Sequence, residues 1–216
     1  MTDTEARTAR LTWVEDRDPR WDADRERVFA TVPEGAFRPE ARIPGARLSS
    51  DWWRVQDGDR VIGYGWLDDV WGDAEILLAV EEDARGTGAG AFALARLEEE
   101  AAGRGLNYVV NMVRDTHPDR AAVSEWFLAH GFARSEDGAM WKRVGDRTRD
   151  IGQAQDGRPR TGRAELPDEA HQARYRAARE RAMAHPRTDD APAGGSDLGP
   201  GHEEGGGYVD QEHHRF

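Results

Sequence analysis

The sequence predicts an α/β domain of the α+β type, in which a mixed, mostly antiparallel and twisted sheet of about seven strands is flanked by helices. Over residues 11–144, short apolar runs and amphipathic segments follow in the order strand, helix, three strands, helix, strand, helix, two strands. All eight tryptophans lie at or before Trp141, so the material for a large core is in the first two thirds of the 216 residues. We therefore expect one domain over 11–144, followed by an extension.

The front half of this domain supplies a strand, a helix and a hairpin. Leu11–Glu15 is a short strand-like run, and residues 19–33 form a helix-like segment that begins at one proline and ends before another. Two alternating apolar runs within residues 51–69 then flank Asp57 and Gly58. This dipeptide accepts positive φ at low cost and is typical of a hairpin turn.

The back half supplies two buried strands, two helices and a closing hairpin. Residues 74–80, "AEILLAV", lose their alternation after Glu75, as expected of a strand that is covered on both faces. The pattern then predicts a helix over 88–104, a strand over 107–113, a helix over 119–132 and a hairpin that turns near Asp137 and Gly138.

The two ends of the chain are poor in large apolar residues. We expect flexibility over residues 1–10 and over most of 145–216, which is rich in glycine, proline and acids. Residues 168–185 predict an arginine-rich helix whose apolar side is mostly alanine, so it needs a surface to dock on. Residues 208–216 contain three large apolar side chains after a glycine hinge, which indicates either a docking segment or a disordered end.

Composition excludes several classes of function. A net charge of −12 argues against nucleic acid as a partner and favours a cationic or amine-bearing one. The absence of cysteine removes disulfides and thiolate metal sites, and the histidines of the tail are too irregularly spaced to predict a metal. No apolar run approaches the roughly 18 residues of a membrane span, so we expect a cytoplasmic protein without a membrane partner.

A glycine-rich turn precedes the helix at 88–104. The stretch "ARGTGAG" places Arg85 before three alternating glycines, where a helix leaves its first amides unpaired and attracts anions. Glycines let a phosphate approach those amides, so the stretch predicts a pyrophosphate cradle. Ala91 and Phe92 replace the lysine and hydroxyl residue of a P-loop, and the glycine spacing does not fit a dinucleotide fingerprint.

Two segments resemble the GNAT superfamily of N-acetyltransferases. "AEILLAVEEDARGTGAG" is similar to the family's signature, with Arg85, Gly88 and Gly90 at its three defining positions. "SEWFLAHGF" resembles the second motif, a helix that ends in Gly-Phe. The resemblance covers about residues 11–144 and implies the family's fold. The order of elements, which is predicted separately from the apolar patterns, agrees with that fold.

The resemblance implies that acetyl-CoA is the co-substrate that donates the acetyl group, and it implies no metal. Its pantetheine arm would run along the fourth strand, in a gap between the fourth and fifth strands, and its pyrophosphate would lie on the glycine turn. Arg120 replaces an asparagine that relatives carry early in the next helix, and either meets a CoA phosphate or is solvated. The implied cofactor-binding residues are Leu78, Ala79, Val80, Arg85, Gly86, Thr87, Gly88, Ala89, Gly90 and Arg120.

The implied reaction is direct transfer of the acetyl group to a primary amine of a small molecule or protein. Glu75 precedes the apolar part of the fourth strand, where several relatives carry a glutamate base, with Asp73 and His117 as substitutes. Relatives often have a tyrosine acid where this chain has Phe127. Either Ser124 assists the departing thiolate or the thiolate leaves unaided.

A second function stays open from the sequence: a non-catalytic acyl-CoA-binding sensor or scaffold that acts through its tail, supported by Phe127. The sequence also leaves open a homodimer and a protein partner that binds the tail. The sequence offers one candidate pocket for a cationic amine acceptor, made of four tryptophans on the second and third strands and two acids between them. The alternative is that the tryptophans pack the core and the acids are solvated in a turn. These residues are Trp52, Trp53, Trp66, Trp71, Asp68 and Asp69.

Overall fold

The computed structural model describes residues 10–30, 32, 42–145 and 166–184. Seven strands and four helices form in this part of the chain, together with one short 3₁₀ turn. In chain order they are β1 (Leu11–Asp16), α1 (Ala23–Ala30), β2 (Asp51–Asp57), β3 (Arg60–Val70), β4 (Asp73–Val80), the 3₁₀ turn (Glu82–Ala84), α2 (Ala89–Gly103), β5 (Tyr108–Met112), α3 (Arg120–Ala129), β6 (Ala133–Arg134), β7 (Ala139–Arg143) and α4 (Glu169–Ala184).

The strands form one mixed sheet in the order β1-β2-β3-β4-β5-β7-β6. All neighbours are antiparallel except β4 and β5, which run parallel. Gly58 and Gly138 have φ values of +61° and +84° at the two predicted hairpin turns, where a residue with a Cβ atom would be strained. The predicted fold class and order of elements are thus confirmed.

A gap opens in the middle of the sheet because β4 and β5 pair only at their beginnings. Ala74 pairs with Val109 and Glu75 with Val110, and the Asn111 side-chain amide then donates to the Ile76 carbonyl at 2.9 Å. Beyond that bond β4 continues to Val80 with β3 as its paired neighbour. The sheet is therefore open on one side of β4, along the residues that follow Ile76.

Two layers of helices cover the sheet. On one face, α2 and α3 pack against alternate residues of β4 and β5, with Ile76, Leu94 and Phe127 in a common cluster. On the other face, α1 contributes Phe29 to a separate cluster that includes Ala79 of β4. Because successive residues of a strand point to opposite faces, β4 takes part in both layers.

The tryptophans of β2 are divided between these two layers. Trp52 packs edge-on against Phe29 on the α1 face, whereas Trp53 stacks on Trp13 at 5.6 Å in the layer of α2. Trp71 lies elsewhere, at the exposed turn that follows β3. Trp52 also lines a second cavity of about 390 Å³ together with Asp68 and Asp69, whereas Trp53 and Trp71 do not. The four tryptophans therefore do not share one wall, and the acceptor pocket stays a prediction.

Helix α4 docks on the same face as α1, across β4, β5 and β7. Its Tyr175 is 1% exposed and packs edge-on against Trp141, with ring centroids 4.9 Å apart. His171 Nε2 lies 2.6 Å from the carboxylate of Asp73, which is fully buried. A helix whose apolar side is mostly alanine is thus held by the buried Tyr175 ring, by the His171 ring, which packs edge-on against Tyr108, and by polar contacts to β4. The segment 208–216 lies outside the described residues, as do residues 1–9 and the tail histidines.

Candidate active site

A cavity of about 620 Å³ occupies the gap between β4 and β5. It is bounded by Leu77, Leu78, Ala79 and Val80 of β4, by the glycine turn before α2, by the end of β5 and the loop after it, and by α3. On the other face of the sheet, Phe29 and Val32 border the same cavity. The cavity therefore passes through the sheet and is reached from both layers.

The glycine turn forms a cradle of backbone amides at one side of this cavity. Gly86 and Gly88 have φ values of +72° and +92°, a conformation that side-chain-bearing residues rarely adopt. The first hydrogen bond of α2 runs from the Phe92 amide to the Gly88 carbonyl at 2.9 Å, so the helix does not use the amides of residues 89–91. The Thr87 hydroxyl donates to the Ala84 carbonyl at 2.7 Å and holds the turn closed.

The charge of the cavity suits a phosphorylated ligand, although the chain as a whole is acidic. Arg85 and Arg114 both line it, and Asp119 is the one carboxylate among the described residues that line it. Gly90 leaves room between α2 and α3, since a Cβ atom there would lie 3.6 Å from the Trp126 ring. Free amides, two guanidinium groups and an open cleft fit the pyrophosphate of CoA.

Seven of the ten residues expected to bind the cofactor line the cavity: Leu78, Ala79, Val80, Arg85, Gly86, Gly88 and Gly90. Thr87 and Ala89 do not, because the Thr87 hydroxyl is bonded to the turn and the Ala89 side chain is buried in the core beneath it. Arg120 also lies outside, on the exposed start of α3, where its guanidinium pairs with Asp115 at 3.0 Å.

Glu75 lies beside the gap but does not line the cavity. Its carboxylate accepts hydrogen bonds from the Tyr175 hydroxyl at 3.0 Å and from Arg179 Nε at 2.9 Å, both from α4. Both contacts are made to the Oε2 atom, and only 15% of the Glu75 side chain is exposed. Its expected role as the general base remains a prediction, and this position weighs against it.

Asp73, the first substitute for the base, is also sequestered. Burial raises the pKa of its carboxyl from 3.8 to about 6, against the lowering effect of the hydrogen bond from His171. Ser124 is buried on α3 and does not line the cavity, whereas Phe127, on the same helix, does. The structure thus brings a phenyl ring, and not the Ser124 hydroxyl, to the cavity wall.

His117, the second substitute, does line the cavity, from the loop between β5 and α3. Asn111, Met112, Arg114, Asp119 and Trp126 line it as well, and none of them is among the predicted site residues. The order of elements could have indicated these residues. β5 runs parallel to β4, so the loop after β5 lies at the same edge of the sheet as the turn after β4.

Within the described ranges, no group of three or more histidine, aspartate or glutamate side chains could hold a metal ion. The same part of the chain contains no helix that is both long and apolar enough to cross a membrane.

Comparison with known proteins identifies the family. The model of the acetyltransferase (GNAT) family matches residues 11–132. Among solved structures, YhhK from Escherichia coli bound to coenzyme A is 14% identical, covers 62% of this chain and 98% of its own, and has a TM-score of 0.47. A phosphinothricin acetyltransferase from Sinorhizobium meliloti with AcCoA is 17% identical, with coverages of 68% and 95% and a TM-score of 0.45.

The ribosomal-protein-S18-alanine N-acetyltransferase from Escherichia coli is 18% identical, covers 47% of this chain and 74% of its own, and has a TM-score of 0.38. Such distant likenesses do not transfer a substrate. No curated protein matches the chain. Residues 11–132 are more than half of the chain and include β4, the cradle and α3, so the chain belongs to the acetyltransferase (GNAT) family.

Proposed function

We propose that this protein is an acetyl-CoA-dependent N-acetyltransferase that transfers the acetyl group directly to a primary amine of a small molecule or protein. The observation that carries the proposal is the cavity itself, which joins the amide cradle on one face of the sheet to Phe29 and Val32 on the other. A donor and an acceptor that enter from opposite faces would meet in the gap between β4 and β5.

The donor would lie between α2 and α3. The amides at the start of α2, together with Arg85, would hold the pyrophosphate, and the unpaired edge of β4 beyond Ile76 offers backbone groups to the amides of the pantetheine arm. Bound acetyl-CoA supplies a thioester, whose carbonyl carbon an uncharged amine attacks. Holding both reactants in one gap lowers the entropic part of the barrier.

The proton of the attacking amine would leave to water. Glu75 is occupied by α4, Asp73 is buried behind His171, and Asp119 is an exposed carboxylate at the rim. His117 lines the cavity, but its Nδ1 already accepts a hydrogen bond from the Asp119 amide at 3.0 Å. Water that enters from the open faces of the cavity is therefore the acceptor that breaks no existing bond. If Glu75 is nevertheless the base, Glu75→Gln will lower turnover without changing affinity for CoA.

The donor site is tested by filling the cradle. Gly90→Leu places a side chain beside Trp126 on the wall of the cavity, and calorimetry should show loss of acetyl-CoA binding. Gly103→Leu is the matched control, since it lies in the same helix, points into open space and does not line the cavity. Equal affinity of the two variants would contradict the assigned site.

A non-catalytic acyl-CoA-binding module is the second candidate, favoured by Phe127 in the cavity and by the contacts that occupy Glu75. Release of the CoA thiol with a panel of primary amines separates the two functions. Thiol release with any amine supports the enzyme, whereas tight acetyl-CoA binding without release from any of them supports the module. The acceptor's charge, a homodimer, a tail-bound partner and a cytoplasmic location stay predictions of the sequence.

A further inference from the structure

A buried carboxylate lies between the two walls of the cavity. Glu81 directly follows Val80, the last cavity-lining residue of β4, and is only 4% exposed. Its side chain forms ion pairs with Arg27 of α1 and with Arg60 of β3, the latter at 2.8 Å. A buried charge is costly unless it is paired, so both partners are held close to it. Glu81 therefore joins α1 to the sheet at the point where β4 leads into the glycine turn.

The backbone of Glu81 is tied to the cradle. The Glu81 carbonyl accepts the hydrogen bond that closes the 3₁₀ turn, from the Ala84 amide at 3.1 Å. The Ala84 carbonyl in turn accepts the 2.7 Å hydrogen bond from the Thr87 hydroxyl. Ala84 itself is buried, in one cluster with Ala89 at the start of α2. Two short hydrogen bonds thus connect Glu81 to the turn whose amides would hold the pyrophosphate.

The side chain of Glu81 leads to the opposite wall of the cavity. Arg27 lies in α1, and its guanidinium also donates to the Val61 carbonyl of β3 at 2.9 Å. Phe29 follows in the same helix and Val32 lies just beyond its end, and both line the cavity from that face. A helix of eight residues depends on tertiary contacts for its position. A displacement of Arg27 therefore moves the wall that Phe29 and Val32 form.

We propose that Glu81 is a positioning residue that couples the donor cradle to α1, so that bound CoA fixes the wall on the other face of the sheet. The proposal rests on the proposed function, since it takes the cradle as the site of the CoA pyrophosphate. A phosphate held by the cradle amides restrains the glycine turn, and the restraint reaches Arg27 through the 3₁₀ turn and the Glu81 carboxylate. Order imposed on one side of the cavity then lowers the cost of ordering the other.

Hydrogen exchange of the full chain, followed by mass spectrometry with and without CoA, tests this coupling without an acceptor. A second ligand, 3′-phosphoadenosine 5′-diphosphate, carries the pyrophosphate but lacks the pantetheine arm, so it would occupy the cradle alone. Glu81→Gln removes the charge of the link. Arg27→Gln cuts the link at α1 while Glu81 keeps Arg60 as its partner, and it keeps the test decisive if Glu81→Gln does not fold.

Asp16→Asn is the matched control. The Asp16 side chain is also buried, and it pairs with Arg25 of α1 at 2.5 Å and with Arg54 of β2 at 3.1 Å. It therefore anchors the same helix by the same chemistry. Asp16 ends β1, however, and two strands separate β1 from β4 and the cradle. If Glu81 only stabilised α1, the two carboxylate variants would behave alike.

We expect both ligands to slow exchange in the glycine turn and in α1 of wild type, with an effect in α1 of about fivefold or more, the lower end of typical coupling between sites. Glu81→Gln and Arg27→Gln should keep the slowing in the glycine turn and lose the slowing in α1. Asp16→Asn should exchange faster in α1 without ligand, and both ligands should still slow that exchange.

Slowing of α1 that persists in Glu81→Gln or Arg27→Gln, or that is lost equally in Asp16→Asn, overturns the proposal. Slowing of α1 by CoA but not by the nucleotide also overturns it, since contact of the pantetheine arm with Phe29 would then explain the effect. Protection of the glycine turn with no change in α1 of wild type overturns the inference and leaves the proposed function standing. Absence of protection in the glycine turn of wild type refutes the donor site, and this inference with it.

Discussion

Tyr175→Ala should release helix α4 from the sheet. The side chain is 1% exposed, packs against Trp141, Tyr108 and Val110, and donates to Glu75 at 3.0 Å. Removing a buried aromatic side chain from a core costs about 3–5 kcal/mol. The other contacts of α4 are the two polar ones to β4, the edge-on packing of the His171 ring, the Arg174 guanidinium over Trp71, and an ion pair of Arg176 with Asp137. Tyr175 is the one buried side chain of this helix, so its loss removes a large part of what holds the helix.

The expected magnitude follows from the population of the undocked state. A loss of about 3 kcal/mol raises that population by a factor of about 150. An isolated helix of this length is marginal in water, so the released segment should unfold. Trypsin cleaves after arginine, and α4 carries Arg174, Arg176, Arg179 and Arg181, which makes limited proteolysis read by mass spectrometry the direct assay.

Two variants give the comparison its controls. Tyr175→Phe keeps the ring and loses one hydrogen bond to a carboxylate, so cleavage within α4 should rise about tenfold. Met183→Ala changes a side chain that is 65% exposed near the end of the same helix and should leave the rate unchanged. If Tyr175→Ala is cleaved in α4 no faster than Met183→Ala, the docking account is wrong.

Two further predictions concern stability. Because burial raises the pKa of Asp73 from 3.8 to about 6, the folded state holds this proton more tightly than the unfolded chain. The resulting stability is fully present below pH 3.8 and is lost as the pH rises through about 6. Between these limits the unfolding free energy of wild type should fall by ~3 kcal/mol relative to that of Asp73→Asn, at about 1.4 kcal/mol for each pH unit. Urea unfolding at a series of pH values measures this difference, and parallel profiles of the two proteins would contradict it. Gly65→Ala should lower the unfolding free energy by about 1–3 kcal/mol, because the added Cβ atom would overlap the Trp13 ring. Gly103→Ala adds a Cβ atom in open space and should raise the unfolding free energy by up to about 1 kcal/mol. Thermal unfolding measures both changes.

Local patterns were enough to predict the cradle and the order of elements. The glycines of the turn act through their own backbone conformation and through the first amides of the helix that follows. Five or six consecutive residues are therefore enough to predict the cradle. The hairpins at Gly58 and Gly138 are of the same kind. Strand and helix periods likewise depend on neighbours within one or two turns of the chain.

The surroundings of Glu75 could not be predicted in this way. Its partners, Tyr175 and Arg179, lie 100 and 104 residues further along the chain, in a helix whose own pattern is weak. The sequence indicated that this helix needs a docking surface, but nothing in it indicates that the surface is β4. Only the folded chain shows that the expected base is already bonded.

The tryptophans give a second example of the same limit. Trp52 and Trp53 are adjacent in the sequence, yet the pleat of β2 sends them to opposite layers, one against Phe29 and one against Trp13. A count of aromatic residues near two acids predicts a pocket. The direction of each side chain depends on the register of the sheet, and of these tryptophans Trp52 alone lines a cavity together with the two acids.

By itself, the sequence determined the fold class, the amide cradle and the family, since each depends on short-range pattern. Only the tertiary structure decided which side chains share the gap between β4 and β5. It brought His117 and Phe127 to the cavity and kept Ser124 out of it, and it tied Glu75 to α4. These placements depend on contacts between residues far apart in the chain, because the shape of the cavity is set by how two strands diverge and how two layers of helices pack around them.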